Sequence, residues 1–461
     1  MKSKSFRTRA ALILTTLMLL AAAGTVATAQ TYTDLYNFCV QANCTDGSNP
    51  SGVLAQGRDG NLYGTTYSGG TNHLGVVFRI TPSGTLRVLY KFDGVHGSWP
   101  ESGLTLGTDG NFYGTSSFGG ANNYGTIFKI TKSGTLTTLY SFTGNANGDG
   151  ASPWASPVQG MNGNFYGGTF GGFTAYEITS SGNLTQFAYL SGQVSAPLVL
   201  GEDGNFYGTT LDGGTAGYGT VFKMTPKGIV TVIYDFDVTH GEYPWASVIQ
   251  GSDGNFYGTT QQGGAYSWGV VFKLTTQGTL TVLHNFPDPN YPNDGSVLYA
   301  GLVQATDGNF YGVTQRGGTT GEGVTFRITP GGDYSILDGA NGENGGISVA
   351  TPMQHTNGMI YGLAWAGGTP GAGFVYSLDM GLAPFVRLVS TLGKVGKRIE
   401  ILGQGFTGTT AVSFNGTPAT YTIASDTLLG ATVPAGATTG FVTVTTPSGT
   451  LTSNQQFTIK P

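Results

Sequence analysis

In the segment TLTVLHNF, Leu280, Val282, His284 and Phe286 fall on one side, the period of two expected of a strand that turns one face to a core. The residues before it supply three more pieces of the same kind. ASVIQGS is short and apolar, NFYGTT is aromatic and β-prone, and GVVFKLT is β-branched. Turn chemistry joins them. Asp253-Gly254 has the composition of a two-residue hairpin turn, in which both residues are expected to take positive φ. A second tight joint reads TPSG at Thr81 to Gly84 and TPKG at Thr225 to Gly228, with proline presetting φ and glycine closing the turn. Beyond the N-terminal leader no window sustains a helical period, so an all-β chain is expected.

The pattern recurs. DGNFYGTT stands at Asp203 and again at Asp253, with looser copies at Asp59, Asp109, Asn162, Asp307 and Asn357, spaced 50, 53, 41, 50, 54 and 50 residues apart. A period near fifty in a strand-rich chain predicts a propeller with one four-stranded blade per copy, seven in all. The ends complete each other. The seventh copy runs through GFVYSLDMGL and stops without a fourth strand, while TYTDLYNF at Thr31 to Phe38 matches the fourth strand of other copies, LRVLYKF and VTVIYDF. Tyr32 to Phe38 is therefore expected to complete the last blade and leave no open sheet edge.

The phrase LYG.T, then GG and G.VF, followed by TP.GTL..LY.F, resembles the GloVer tandem repeat of exported bacterial proteins, over residues 31 to about 381. That family is defined by its repeat and implies no general catalytic assignment. Copy three departs from it, because GGTFGGFTAYEIT lacks the usual longer segment between the second and third strands. From Pro384 the grammar changes, and GKRIEILGQGF, TAVSFNGTPATY and TLLGATVPAGATTGFVTVTTPSGT resemble an IPT/TIG domain, which implies a small immunoglobulin-like β-sandwich. The expected division is a leader over 1–29, a seven-bladed propeller over 30–382 and the IPT/TIG-like domain over 383–461. In exported bacterial chains such a module serves as a spacer or interaction domain.

The first residues decide the compartment. Lys2, Lys4, Arg7 and Arg9 precede an apolar run from Ala10 to Ala23 and the small-residue sequence Ala27-Thr28-Ala29, the pattern of a secretory signal peptide cleaved after Ala29. The apolar core is shorter than the roughly 20 residues of a bilayer span, so a secreted, periplasmic or cell-surface product without a membrane span is expected. Losing the leader removes four cations and leaves 16 Lys plus Arg against 25 Asp plus Glu. Such an acidic surface disfavours nucleic acid as a partner. Gly supplies 78 of the 461 residues, yet 39% are hydrophobic, so the glycines mark turns rather than disorder. Cys39 and Cys44 are the two cysteines, and an exported chain allows them to form a local disulfide.

Propeller geometry assigns the faces. The DG and TPSG turns share one face, while the loops between second and third strands and the blade-to-blade connections share the other, irregular face, where function is expected. The connections carry Trp99, Trp154 and Trp245, and the loops place Tyr124, Tyr218 and Trp268 at one equivalent position. These six are the candidate ligand-binding residues, suited to stacking on sugar rings or anchoring a protein, or else simply wedged between blades. His73, His96, His240, His284 and His355 fall at differing repeat positions and no HExxH or GxSxG occurs, so no catalytic residue is assigned. His73, His96 and His240 could reach the irregular face, which keeps a propeller lyase or hydrolase acting on an extracellular carbohydrate or small molecule as the alternative. One Asp per DGN turn is too few oxygen ligands for calcium, and neither metal nor cofactor is expected. The reading is a monomeric, exported binding or scaffold protein for an extracellular glycan or protein.

Overall fold

The computed structural model describes residues 30–144, 148–288, 294–318, 321–337 and 348–461, so the leader expected over 1–29 lies outside the described residues. Seven four-stranded antiparallel sheets form the blades of a propeller, and a two-sheet sandwich follows it. Blade 5 is representative, with strands Ile249–Gln250, Phe256–Thr260, Val270–Leu274 and Leu280–Asn285 paired in chain order.

The DG turn does not have the geometry expected of it. Of its two residues only Gly254 has positive φ, at 78°. The turn spans Gly251 to Gly254, closed by the Gly254 N–H on Gly251 O at 2.9 Å, with the Gly251 N–H returning to Asn255 O. Asp253 contributes its carboxylate instead. It accepts from Asn255 N–H, Asn255 Nδ2, Lys273 Nζ and the Tyr257 hydroxyl, each within 3.1 Å. Burial works against ionisation of Asp253, but Lys273, Asn255 and Tyr257 outweigh it and hold the carboxyl at about 2. Blade 3 reaches the same end by exchange. Asn162 occupies the Asp position, and Glu177, cross-strand from Tyr166 where blade 5 has Lys273, accepts from Asn162, Asn164 and Tyr166.

With its hydroxyl tied to the turn, the repeat tyrosine turns its ring to the next blade. Tyr63 stacks on Phe112, Tyr113 on Phe165, Tyr166 on Phe206 and Tyr257 on Phe310, with centroids 3.8 to 4.1 Å apart. The core is thus a series of interblade clusters, such as Tyr207, Val221 and Phe236 of blade 4 against Val248, Phe256 and Phe272 of blade 5. The glycine after the tyrosine serves its own blade. A Cβ on Gly258 would lie 2.6 Å from Phe272 Cζ, so the small residue makes room for that ring.

The ring closes as the ends suggested. Thr31–Asn37 pairs antiparallel with Phe374–Asp379, placing Tyr32 opposite Leu378 and Asn37 opposite Phe374. Phe38, fully buried, packs edge-on against Phe78 of blade 1 at 5.2 Å, the contact that Phe236 makes with Phe272 one blade to the next. A polar lock repeats beside it. Thr356 N–H of blade 7 donates to Gln56 Oε1 of blade 1, as Ser252 N–H of blade 5 does to Gln304 of blade 6. Blade 3 has a short connection, residues 169–173, where blade 5 has 261–269, as its sequence implies.

The sandwich packs a four-stranded sheet on a five-stranded one around Ile401, Phe414, Leu429, Val444 and Phe457. It lies across the DG-turn face of the propeller. Arg58 pairs with Glu400 at 2.6 Å, Thr427 donates to Arg58 O, Gln404 to Thr356, Arg387 to Gln354 O and Lys460 to Glu202 O. These contacts reach blades 1, 4 and 7, and a small gap lined by Gln250, Gln304, Thr391 and Phe441 adds blades 5 and 6. Val199 and Ile249 line both this gap and the axial cavity above it, so the sandwich sits beneath the propeller axis.

Candidate functional site

With one face covered, the axis opens on the irregular face as a funnel of about 600 Å³. Its wall is built by register. The residue eight positions before each DG or NG turn lines it in all seven blades: Ser51, Glu101, Trp154, Ser195, Trp245, Tyr299 and Val349. Among the described residues, the connection before the inner strand takes a left-handed residue two positions earlier in five blades, at Asn49, Trp99, Ser152, Tyr243 and Val297. A second tier, at the ends of the second strands, adds Gln315 and Trp365.

The rings form two arcs. On blades 3 to 6, Phe170 stacks on Trp154 at 3.5 Å, Trp154 on Trp245 at 6.1 Å, and Trp245 tilts against Tyr299 at 5.3 Å. The small Ser195 of blade 4 is what lets two tryptophans meet across that blade. On blades 7 to 2, Trp365 meets Tyr67, which stacks on Trp99, which meets Phe118 edge-on. Much of the polar lining is committed to holding the ring together. The Ser51 hydroxyl donates to Pro100 O, Ser195 to Trp245 O and Trp245 Nε1 to Gln261, while Thr351 Oγ1 accepts from Gly301 N–H.

Among the described residues, Glu101 is the one charged residue of the lining. Burial pushes its carboxyl up to about 7, with the neighbouring Ser117 offsetting part of the effect. Asp253 and Glu400, by contrast, have Lys273 and Arg58 beside them. No lysine, arginine or histidine lines the funnel among the described residues.

Of the six residues expected to form the site, the structure brings Trp154 and Trp245 together in the funnel. Trp99 lies outside its lining, wedged between Tyr67 and Phe118. Tyr124, Tyr218 and Trp268 are also elsewhere. Their carbonyls accept the N–H of Ser152, Tyr243 and Val297 in the following connection, so this trio helps lock successive blades. The sequence reading missed Glu101, Tyr299 and Trp365. The missing signal was register: Trp154 and Trp245 follow their prolines, whereas Trp99 precedes Pro100, and counting back from the turn puts Glu101 in the tryptophan position.

The histidines stand away from the funnel. His96 and His240 pair with Asp93 and Asp237 in blade-to-blade connections, His73 lies in an outer loop, and His284 stacks on Tyr334 at 3.9 Å. His355 is buried between blades 7 and 1, its Nε2 3.0 Å from Gly60 O. Cys39 and Cys44 form the expected disulfide, in the connection that leads from the closing strand into blade 1. No helix among the described residues is long and apolar enough to cross a membrane.

Comparison with solved structures finds the propeller fold in other proteins. A streptogramin B lyase superposes with a TM-score of 0.53 at 16% identity, covering 76% of this chain and 97% of that one. A virginiamycin B lyase from Staphylococcus aureus gives 0.54 at 14% identity, covering 76% and 99%. At such identity the likeness extends to the fold alone. No curated protein is matched by the sequence. The model of the IPT/TIG domain matches residues 384–459. The model of the Gloeobacter/Verrucomicrobia repeat matches residues 15–181 and 167–376, and the chain belongs to that repeat family.

Proposed function

We propose that the chain is an exported binding protein that takes a compact ligand group into the axial funnel on the irregular face. The group belongs to a free small molecule or to the exposed end of a glycan or protein, because about 600 Å³ holds no folded domain. The observation that carries this reading is the set of rings lining the cavity, Trp154, Trp245, Tyr299 and Trp365, where the Ser51 and Ser195 hydroxyls and the Trp245 N–H already donate to the ring itself. Rings supply contact area at little entropic cost, and the sandwich leaves this face open. Export is supported by the leader pattern of residues 1–29 and by the disulfide.

Three of the five tryptophans line the funnel, so intrinsic fluorescence reports its occupancy. A panel of glycans and small amphiphiles titrated into the mature protein is expected to contain ligands that shift the emission, with the shift lost in Trp154→Ala. Binding that leaves the emission unchanged and survives Trp154→Ala would reject the funnel as the site.

A propeller lyase or hydrolase is the second reading, favoured by one observation: a carboxyl poised at about 7 in an apolar cavity can hold or release a proton near neutrality. Turnover of a panel member that is abolished by Glu101→Gln, with binding retained, would establish it.

A further inference from the structure

We infer that the group the funnel accepts is an organic cation, a quaternary ammonium or protonated amine, held on the faces of Trp154, Trp245, Tyr299 and Trp365 with Glu101 as its counter-charge. This rests on the funnel being the ligand site and adds the chemistry of the ligand. The lining contains one carboxyl and no basic side chain among the described residues. At the level of Glu101 the other blades contribute two tryptophans, a tyrosine, two serines and a valine, so the acid faces a neutral, ring-rich wall.

Three consequences of that composition point the same way. A carboxylate in an apolar cavity is poorly solvated, and a bound cation supplies the missing partner. Aromatic faces carry negative quadrupole density, which attracts a cation with strength that grows as water is excluded. Hydroxyl-rich ligands need many free donors, whereas the Ser51 and Ser195 hydroxyls and the Trp245 N–H already donate within the protein. The acidic balance of the mature chain adds long-range attraction for cations.

The test uses choline and its neutral carbon isostere 3,3-dimethyl-1-butanol, which share shape and differ in charge. Both are titrated into the mature full-length protein while tryptophan emission is followed. Choline is expected to bind at least roughly ten-fold more tightly than the isostere, and Glu101→Gln to erase that preference. Glu101→Gln is expected to unfold at the same temperature as wild type, separating lost charge from lost structure. Equal affinity for the two probes, or a preference that survives Glu101→Gln, would overturn the cation assignment and leave the funnel standing as a site. Failure of choline alongside Trp154-dependent binding of a neutral panel member would also overturn this inference alone. Failure of every probe and panel member would overturn the funnel reading as well.

Discussion

The ring of Tyr257 stacks on Phe310 of the following blade with centroids 4.1 Å apart. Its hydroxyl donates at the same time to Asp253 of its own turn at 2.8 Å. One side chain thus ties a turn to its strand and a blade to its neighbour, which explains why the phrase recurs with the ring. Phe310→Ala is expected to destabilise the propeller by about 3–5 kcal/mol, the usual range for deleting a buried ring. Tyr257→Phe keeps the stack and removes one bond to a charged group, so about 1.5–3 kcal/mol is expected. Urea unfolding of the two variants ranks them, and the reverse order would contradict the packing role.

Gly258 fits beneath Phe272, where a Cβ would come within 2.6 Å of the ring. Gly258→Ala is expected to cost about 1–3 kcal/mol through overpacking. Pairing it with Phe272→Leu should recover part of the loss, and double-mutant unfolding measurements would show the coupling.

The closing strand gives a sharper test of architecture. Removing residues 30–38 deletes the strand Thr31–Asn37, bares the edge of Phe374–Asp379 and takes Phe38 from its place against Phe78. A lower melting temperature and a tendency to associate through the exposed edge are expected. Calorimetry and light scattering check both, and an unchanged melting temperature would refute closure by this strand.

Acid should loosen the same seam. Burial lowers the pKa of His355 from 6.5 to about 4, against opposing contacts from Asn357 and Gly60. The unfolded chain therefore binds the proton more readily, so the His355 contribution to stability is fully present above about pH 6.5 and is lost as pH drops toward 4. The loss is of the order of 3 kcal/mol at the bottom of the window. Unfolding free energies measured across it should show wild type losing stability relative to His355→Asn as pH falls, Glu101 acting equally in both. Parallel declines would remove His355 as the cause.

Much of this architecture is legible in the sequence, because propeller blades are written by local rules. Strand alternation, turn glycines and the orphan strand at Thr31 to Phe38 each carry their meaning within one repeat. The turn at Asp253 was misjudged because composition alone does not distinguish a two-residue hairpin from a longer turn that needs one left-handed glycine. The site was legible only in part. Trp154 and Trp245 stand out by their bulk, but whether a side chain in a connection faces the axis or the neighbouring blade depends on its register from the turn, which separates Trp99 from Glu101 by two residues. The placement of the sandwich rests on pairs such as Arg58 with Glu400, far apart in the chain and marked by no local pattern.

The most direct test of the funnel as the binding site compares two pairs of substitutions against one ligand found by fluorescence titration, with affinity measured by calorimetry. Trp154→Ala with Trp365→Ala strips two of the four rings that line the funnel, and Tyr124→Ala with Trp268→Ala strips the outer loops. The funnel pair is expected to weaken binding at least roughly a hundred-fold, with about 1–2 kcal/mol or more lost per ring, and the outer pair to leave it within about two-fold. Binding that survives the funnel pair and collapses with the outer pair would contradict the funnel as the site.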